Sequence, residues 1–318
     1  MRFLLLIALL FPMTLHAQWD VMLSNTMPNT AKLHAHGAVL FHYGDTTTRS
    51  EDAGKTWSTV TGLTDRVTSM VSIDADVYAL RMQSPPGAMI FLKSTDKGVT
   101  WTQISTPQVT NNGVINDLVY DGTTLYGVSN RNEVFISTDK GVTWTKRTYT
   151  TSTSEAAADG TLASSGMYVL SSGGLYRSTD SGLTWVKHST AQGLTVQPTQ
   201  VETVNDDVFV IGTFGLQRWN QSAQKWDDVS STLPDFAGSF KASLRDIRAS
   251  GTTLYTVGAT FDGASFALSS TDRGTTWTKY QDMPKGSSVS RRAIAFVQPY
   301  IIRSEERRVG KECLRLCR

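Results

Sequence analysis

The sequence predicts an all-β fold, a β-propeller in which four-stranded blades ring a central channel. Two observations predict it. The pattern S-x-D-x-G-x-T-W stands at Ser50–Trp57 (with Glu51-Asp52-Ala53), Ser94–Trp101, Ser137–Trp144, Ser178–Trp185 and Ser270–Trp277. Trp226 keeps the register in a decayed copy, RWNQSAQKWDD at 218–228, and the six tryptophans lie 44, 43, 41, 41 and 51 residues apart. A repeat of about 40–45 residues is the size of one four-stranded blade. Charged residues make up only 18% of the chain, a composition suited to short strands and frequent turns.

The unit at 114–147 shows the layout. Ile115 to Tyr120 alternates weakly and reaches Asp121-Gly122, a turn signal. Thr124 to Val128 is a second strand, Glu133 to Ser137 a third, and Thr143 to Arg147, after the repeated motif, a fourth. Gly251-Thr252-Thr253-Leu254-Tyr255 repeats Gly122-Thr123-Thr124-Leu125-Tyr126.

Each residue of the motif has a mechanical task. The aspartates Asp52, Asp96, Asp139, Asp180 and Asp272 suit acceptance of backbone N–H bonds inside their own turn. The glycine permits positive φ, and the tryptophan buries a large ring between sheets. A catalytic site does not need five copies of its acid, so these aspartates are read as structural.

The motifs resemble the Asp-box, or BNR, repeats of sialidases, sortilin-type receptors and photosystem II assembly-factor-like propellers. The resemblance covers residues 18–302. It implies a propeller fold and leaves activity open, because the family uses this turn as scaffold.

Trp19, in Gln18-Trp19-Asp20-Val21, resembles the start of another fourth strand, while Arg292 to Val297 reads as a first strand and Tyr300 to Ile302 as the start of a second. The expectation is seven blades, the N-terminal strand closing the last one, with six as the alternative. After Ile302 the text changes to RSEERRVGKECLRLCR. Residues 303–313 resemble a translated sequencing adaptor, so 303–318 are expected to be a non-native tail, detached from the ring, on a C-terminally truncated propeller. Six of the 30 basic side chains but three of the 28 acidic ones lie there. The body is therefore near neutral, which argues against nucleic acid as a partner.

At the other end, Arg2, the apolar run Phe3 to Phe11 and Leu15-His16-Ala17 read as a signal peptide over residues 1–17. The run is too short for a membrane span. A secreted, periplasmic or cell-surface protein is expected, a monomer whose body lacks cysteine; Cys313 and Cys317 are the chain's two.

Chemistry is sparse. A sialidase-type hydrolase needs an arginine triad, a tyrosine–glutamate pair and a further acid. The F/Y-R-I-P motif that carries the first arginine in that family is missing, and glutamates in the body are Glu51, Glu133, Glu155 and Glu202. His34 and His36 share one strand face with no third ligand at a matching spacing, so no metal and no cofactor is expected. Candidate ligand-binding residues are Arg66, Arg245 and Arg292, on or beside inner strands, and Phe261 and Asp262 on a long loop. The expected function is a secreted, non-catalytic scaffold for an extracellular protein or glycan. A sialidase-like exo-glycoside hydrolase and a photosystem II assembly-factor-like periplasmic propeller are the alternatives.

Overall fold

A computed structural model describes residues 19–24, 32–83, 89–105, 107–150, 157–163, 165–188, 198–212, 215–234, 242–260, 265–279, 287–288, 294–297, 300–307 and 312–317. Residues 1–17 lie outside them. Trp19–Ser24 is β1. Blade 1 is β2 (Lys32–His36), β3 (Val39–Tyr43), β4 (Thr48–Ser50) and β5 (Ser58–Thr59). Blade 2 is β6 (Arg66–Ile73), β7 (Asp76–Met82), β8 (Met89–Ser94) and β9 (Thr102–Gln103). Blade 3 is β10 (Ile115–Tyr120), β11 (Leu125–Ser129), β12 (Glu133–Ser137) and β13 (Thr145–Thr148). Blade 4 is β14 (Ala157–Ala163), β15 (Gly166–Ser171), β16 (Gly174–Ser178) and β17 (Val186–Lys187). Blade 5 is β18 (Pro198–Val204), β19 (Asp207–Gly212), β20 (Gly215–Asn220) and β21 (Lys225–Asp228). Blade 6 is β22 (Ala242–Ser250), β23 (Thr253–Thr260), β24 (Ser265–Ser270) and β25 (Thr278–Lys279). Each is an antiparallel meander in sequence order.

The two ends of the chain meet in a different sheet. β26 (Ser287–Ser288), β27 (Ile294–Val297), β28 (Tyr300–Arg307) and β29 (Glu312–Cys317) join β1 in the order β1-β29-β28-β26, with β27 also on β28. The expectation of seven blades is corrected: among the described residues the regular four-stranded blades number six. The expected gap beside β1 is also absent. β29 fills it, pairing Trp19 with Cys317 through Ser24 with Glu312, and β28 pairs with the other edge of β29. The reason is visible in ECLRLC at 312–317, where Leu314 and Leu316 alternate with Arg315 in the period of a strand.

The apolar core lies between blades. Phe41 and Tyr43 of blade 1 pack with Val67, Val77 and Leu92 of blade 2. Tyr78 and Phe91 of blade 2 pack with Ile115, Leu125 and Phe135 of blade 3. The same arrangement joins blades 3 and 4, 4 and 5, and 5 and 6. The motif tryptophan reaches back to the preceding blade: Trp101 meets Phe41 edge-on at 6.4 Å and Trp144 meets Phe91 at 5.5 Å. Such pairs add to the burial of large rings.

In the turns of blades 2 and 3 the glycine makes room for that contact. Gly98 and Gly141 have φ +81° and +87°, and a Cβ on either would overlap the ring of Phe41 or Phe91. The residue before each glycine also has positive φ, between 56° and 62° at Ala53, Lys97, Lys140, Ser181 and Arg273. The carboxylate holds this uncommon backbone by local hydrogen bonds. In all five turns the serine Oγ donates to Asp Oδ1 at 2.7–2.8 Å and accepts the glycine N–H at 2.7–2.8 Å. The threonine N–H donates to Oδ1 at 2.8 Å and its hydroxyl to Oδ2 at 2.5–2.7 Å. In blade 5, Asn220 takes over, accepting from Ala223 N–H at 3.0 Å and donating to Asp227 at 2.7 Å.

Candidate functional site: the central channel

The first strand of every blade faces the channel. A cavity of about 380 Å³ there is lined from β2, β3, β6, β10, β14, β18, β22 and β27, with His34, Tyr43, Asp117, Thr161, Glu202 and Arg248 as its polar groups. What positions them is a belt of side chains at the bulges of the inner strands. Ser69 Oγ accepts Leu118 N–H (3.1 Å), Asp117 accepts Gly160 N–H (3.3 Å) and Asp159 accepts Val201 N–H (3.0 Å). Gln200 then accepts Ile247 N–H (3.3 Å) and Asp246 accepts Ile294 N–H (2.8 Å). In each step a blade grips the backbone of the next. Register shifts fall at Val67/Ser69, Ile115/Asp117, Ala157/Asp159, Pro198/Gln200 and Leu244/Asp246, and a bulge re-aims a side chain in this way.

Between blades 1 and 2 histidines do the gripping. His36 Nε2 bonds the Ala75 carbonyl at 3.0 Å, and His36 Nδ1 bonds Ser72 Oγ at 2.9 Å. A carbonyl only accepts, so His36 donates its Nε2–H to Ala75. Ser72 Oγ also lies 2.9 Å from Nε2 of His34. Burial pushes its pKa down to about 3, with His36 and Arg248 adding to the effect.

On the wall formed by blades 5 and 6, Glu202 Oε2 lies 3.6 Å from Arg248, whose Nε lies 3.4 Å from fully buried Asp246. Burial pushes the Glu202 carboxyl up to about 7; Arg248 and the Thr203 N–H pull against it, and Asp159 and Asp246 push with it. Asp246 also accepts Gln200 Nε2 at 2.8 Å.

The residues singled out in the sequence fall elsewhere. Arg66 opens β6, half exposed and 3.8 Å from Asp45, an exposed pair of small energetic weight. Arg245 is the exposed bulge residue beside Asp246 on β22. Both lie toward the starts of inner strands, the end of the channel opposite the motif turns, but on different blades. Arg292, Phe261 and Asp262 lie outside the described residues. Of the five motif aspartates, Asp96 and Asp139 are exposed and Asp52, Asp180 and Asp272 half-buried in their turns. At Asp96, Asp139, Asp180 and Asp272 the threonine hydroxyl and N–H, then the serine hydroxyl, hold the carboxyl down to about 2. The belt and the Glu202–Arg248 pair escaped sequence reasoning, although Ser69, Asp117, Asp159, Gln200 and Asp246 occupy one equivalent position in five inner strands. Among the described residues no group of three His, Cys, Asp or Glu side chains is placed to hold a metal ion. No described helix is long and apolar enough to cross a membrane.

The buried histidines set the response to acid. Burial holds His42 down to about 4 and, together with Arg177, His188 as well. Their unfolded forms bind a proton near 6.5 while the folded forms do not, so stability is present above that value and falls as pH drops from about 6.5 toward 4. Glu202 acts oppositely: its contribution is lost as pH rises from 4.5 to about 7. With three histidines against one glutamate, the urea midpoint is expected to be lower at about pH 4.5 than at 6.5; an unchanged or higher midpoint contradicts the burial of neutral imidazoles.

No protein-family model and no curated protein matches the chain. Its fold matches solved β-propellers. YCF48 bound to D1 peptide superposes with TM-score 0.68 at 18% identity, over 93% of this chain and 94% of that one. YCF48 from Cyanidioschyzon merolae gives 0.65 at 14%, over 93% and 98%. The GH74 xyloglucanase from Xanthomonas campestris gives 0.61 at 15%, over 83% of this chain and 47% of that one. These likenesses establish the class, an all-β propeller.

Proposed function

We propose that this propeller is a non-catalytic scaffold that binds a polypeptide partner at the channel mouth opposite the motif turns. The observation that carries the reading is the placement of Arg66 and Arg245, both exposed, toward the mouth-side ends of inner strands. The five repeated carboxylates are meanwhile engaged in their own turns, in the pattern of Asp-box repeats. A similar propeller, YCF48, has been solved with a bound peptide, which supports a polypeptide over a glycan. The scaffold works outside the cytoplasm, with residues 1–17 as its export signal, and 303–318 are dispensable for binding.

The test is a peptide array and a glycan array probed with the whole protein. Peptides rich in acidic residues are expected to bind, and Arg66→Glu with Arg245→Glu to weaken them at least about tenfold, about 1.4 kcal/mol, without lowering the melting temperature. Binding to glycans alone, or turnover of a fluorogenic sialoside, overturns the proposal.

A further inference from the structure

We propose that His34 and His36 of β2, with the hydroxyl of Ser72 on β6, form a binding site for a divalent metal ion of the zinc–copper class in the channel wall between blades 1 and 2. The inference stands whether or not the mouth docks a polypeptide.

Three observations carry it. The first is convergence. His34 Nε2 and His36 Nδ1 each lie 2.9 Å from one atom, Ser72 Oγ. Two residues apart on a strand, the two rings leave the same face of β2 and aim a nitrogen at a single point. A tetrahedral ion with bonds of about 2.0–2.1 Å holds its donor atoms about 3.3 Å apart. Both nitrogen–oxygen separations therefore need to widen by only a few tenths of an ångström. Local spacing offered no third ligand because Ser72 stands on the next blade, 36 residues beyond His36.

The second is outer support. His36 is buried and donates its Nε2–H to the Ala75 carbonyl at 3.0 Å. A metal-ligating imidazole characteristically holds its other nitrogen in this way, which fixes the ring plane and the tautomer. Nδ1 of His36 is thereby the ligating atom. His34 ligates through Nε2 with its proton on Nδ1, and Ser72 gives an oxygen lone pair with its proton turned outward.

The third is access and donor chemistry. His34 also lines the channel cavity of about 380 Å³, which supplies an entry path and water for the remaining coordination position. Among the described residues no third imidazole or carboxylate joins the pair, so the hydroxyl is the third protein donor and water completes an open site. Imidazole nitrogen suits zinc, copper and nickel, whereas magnesium and calcium take carboxylate and carbonyl oxygen. The set therefore selects against the hard cations. An ion bound here ties β2 to β6, the junction that histidines already hold.

The experiment uses the whole protein at neutral pH, with Cys313 and Cys317 alkylated so that thiolates take no part. The probes are Zn²⁺ for affinity, Cu²⁺ for spectroscopy and Mg²⁺ as the hard-cation control. Zn²⁺ is expected to bind below millimolar concentration and Mg²⁺ not to bind. The electron paramagnetic resonance of bound Cu²⁺ should show coupling to two imidazole nitrogens. His34→Gln and His36→Gln should each weaken Zn²⁺ at least about tenfold and leave coupling to one nitrogen. Ser72→Ala should weaken Zn²⁺ while keeping both couplings. Should the histidine variants fail to fold, heteronuclear NMR of the unmodified protein reads the ring nitrogens directly. Zn²⁺ should then shift His34 Nε2 and His36 Nδ1 and leave those of the chain's other histidines in place. No Zn²⁺ binding at millimolar concentration, equal binding of Mg²⁺, unchanged affinity in any of the three variants, or unmoved nitrogens at His34 and His36 each overturns the proposal and leaves a hydrogen-bonded clasp between the two blades.

Discussion

Asp246→Ala is expected to lower the stability of the propeller by about 3–5 kcal/mol, the cost of removing one member of a buried charge pair. Asp246 is fully buried and serves three groups: Gln200 Nε2 at 2.8 Å, Ile294 N–H at 2.8 Å and Arg248 Nε at 3.4 Å. The substitution takes the acceptor from Ile294 N–H, leaves Gln200 Nε2 with the Ile247 carbonyl at 3.0 Å and leaves Arg248 with Glu202 at 3.6 Å. It also cuts the belt where blade 6 holds β27, so hydrogen exchange at 294–297 should accelerate before the rest of the ring. Arg248→Met added to Asp246→Ala should not recover the loss in full, because Glu202 then loses the guanidinium that lies 3.6 Å away. Urea unfolding of both variants checks this. A loss below about 1 kcal/mol for Asp246→Ala, the range of a surface change, refutes the belt as a structural device.

Gly141→Ala carries the second large effect. The glycine has φ +87°, and an added Cβ overlaps the Phe91 ring of the preceding blade. A left-handed alanine costs about 1–2 kcal/mol, and overpacking a core about 1–3 kcal/mol more. Gly122→Ala is the control. Its φ is +96°, yet nothing lies within 4 Å of the added carbon, so only the backbone cost should appear. The difference between the two melting curves isolates the inter-blade contact. Equal losses at the two sites show that Phe91 yields freely and that the berth is unimportant.

These two sites mark what the sequence reveals and what it hides. The turn at Gly141 was legible because everything it needs lies within eight letters, and the same letters return at blade spacing. The belt was hidden because each bond joins residues 42–49 apart and the letters vary: Ser69, Asp117, Asp159, Gln200 and Asp246 perform one task. A single polar letter in a strand reads as ordinary alternation until the bulge turns it toward its neighbour. Arg66 and Arg245 were read as candidate ligand-binding residues on or beside inner strands, and Arg245 lies one residue from a belt carboxylate. The charged residue that lines the cavity from β22 is instead Arg248, three positions further on, because the Leu244/Asp246 register shift resets which residues face inward. At the ends of the chain, Trp19 was counted as the outer strand of a seventh blade. Its strand instead pairs with 312–317, a segment whose short alternation was overshadowed by the run of charge before it.

The belt also has a direction. At each of its five junctions the gripping side chain comes from the earlier blade and the gripped N–H from the later one. During synthesis on a ribosome the newest blade therefore always ends in a buried acceptor awaiting the following 42–49 residues. Domains emerge and fold from the N-terminus onward, and here each blade can be locked only by its successor. The ring is thus a ratchet in time: its penultimate blade is set when the last is made, and a nascent chain halted between blades keeps one unsatisfied side chain at its growing edge, a mark by which unfinished molecules differ chemically from finished ones.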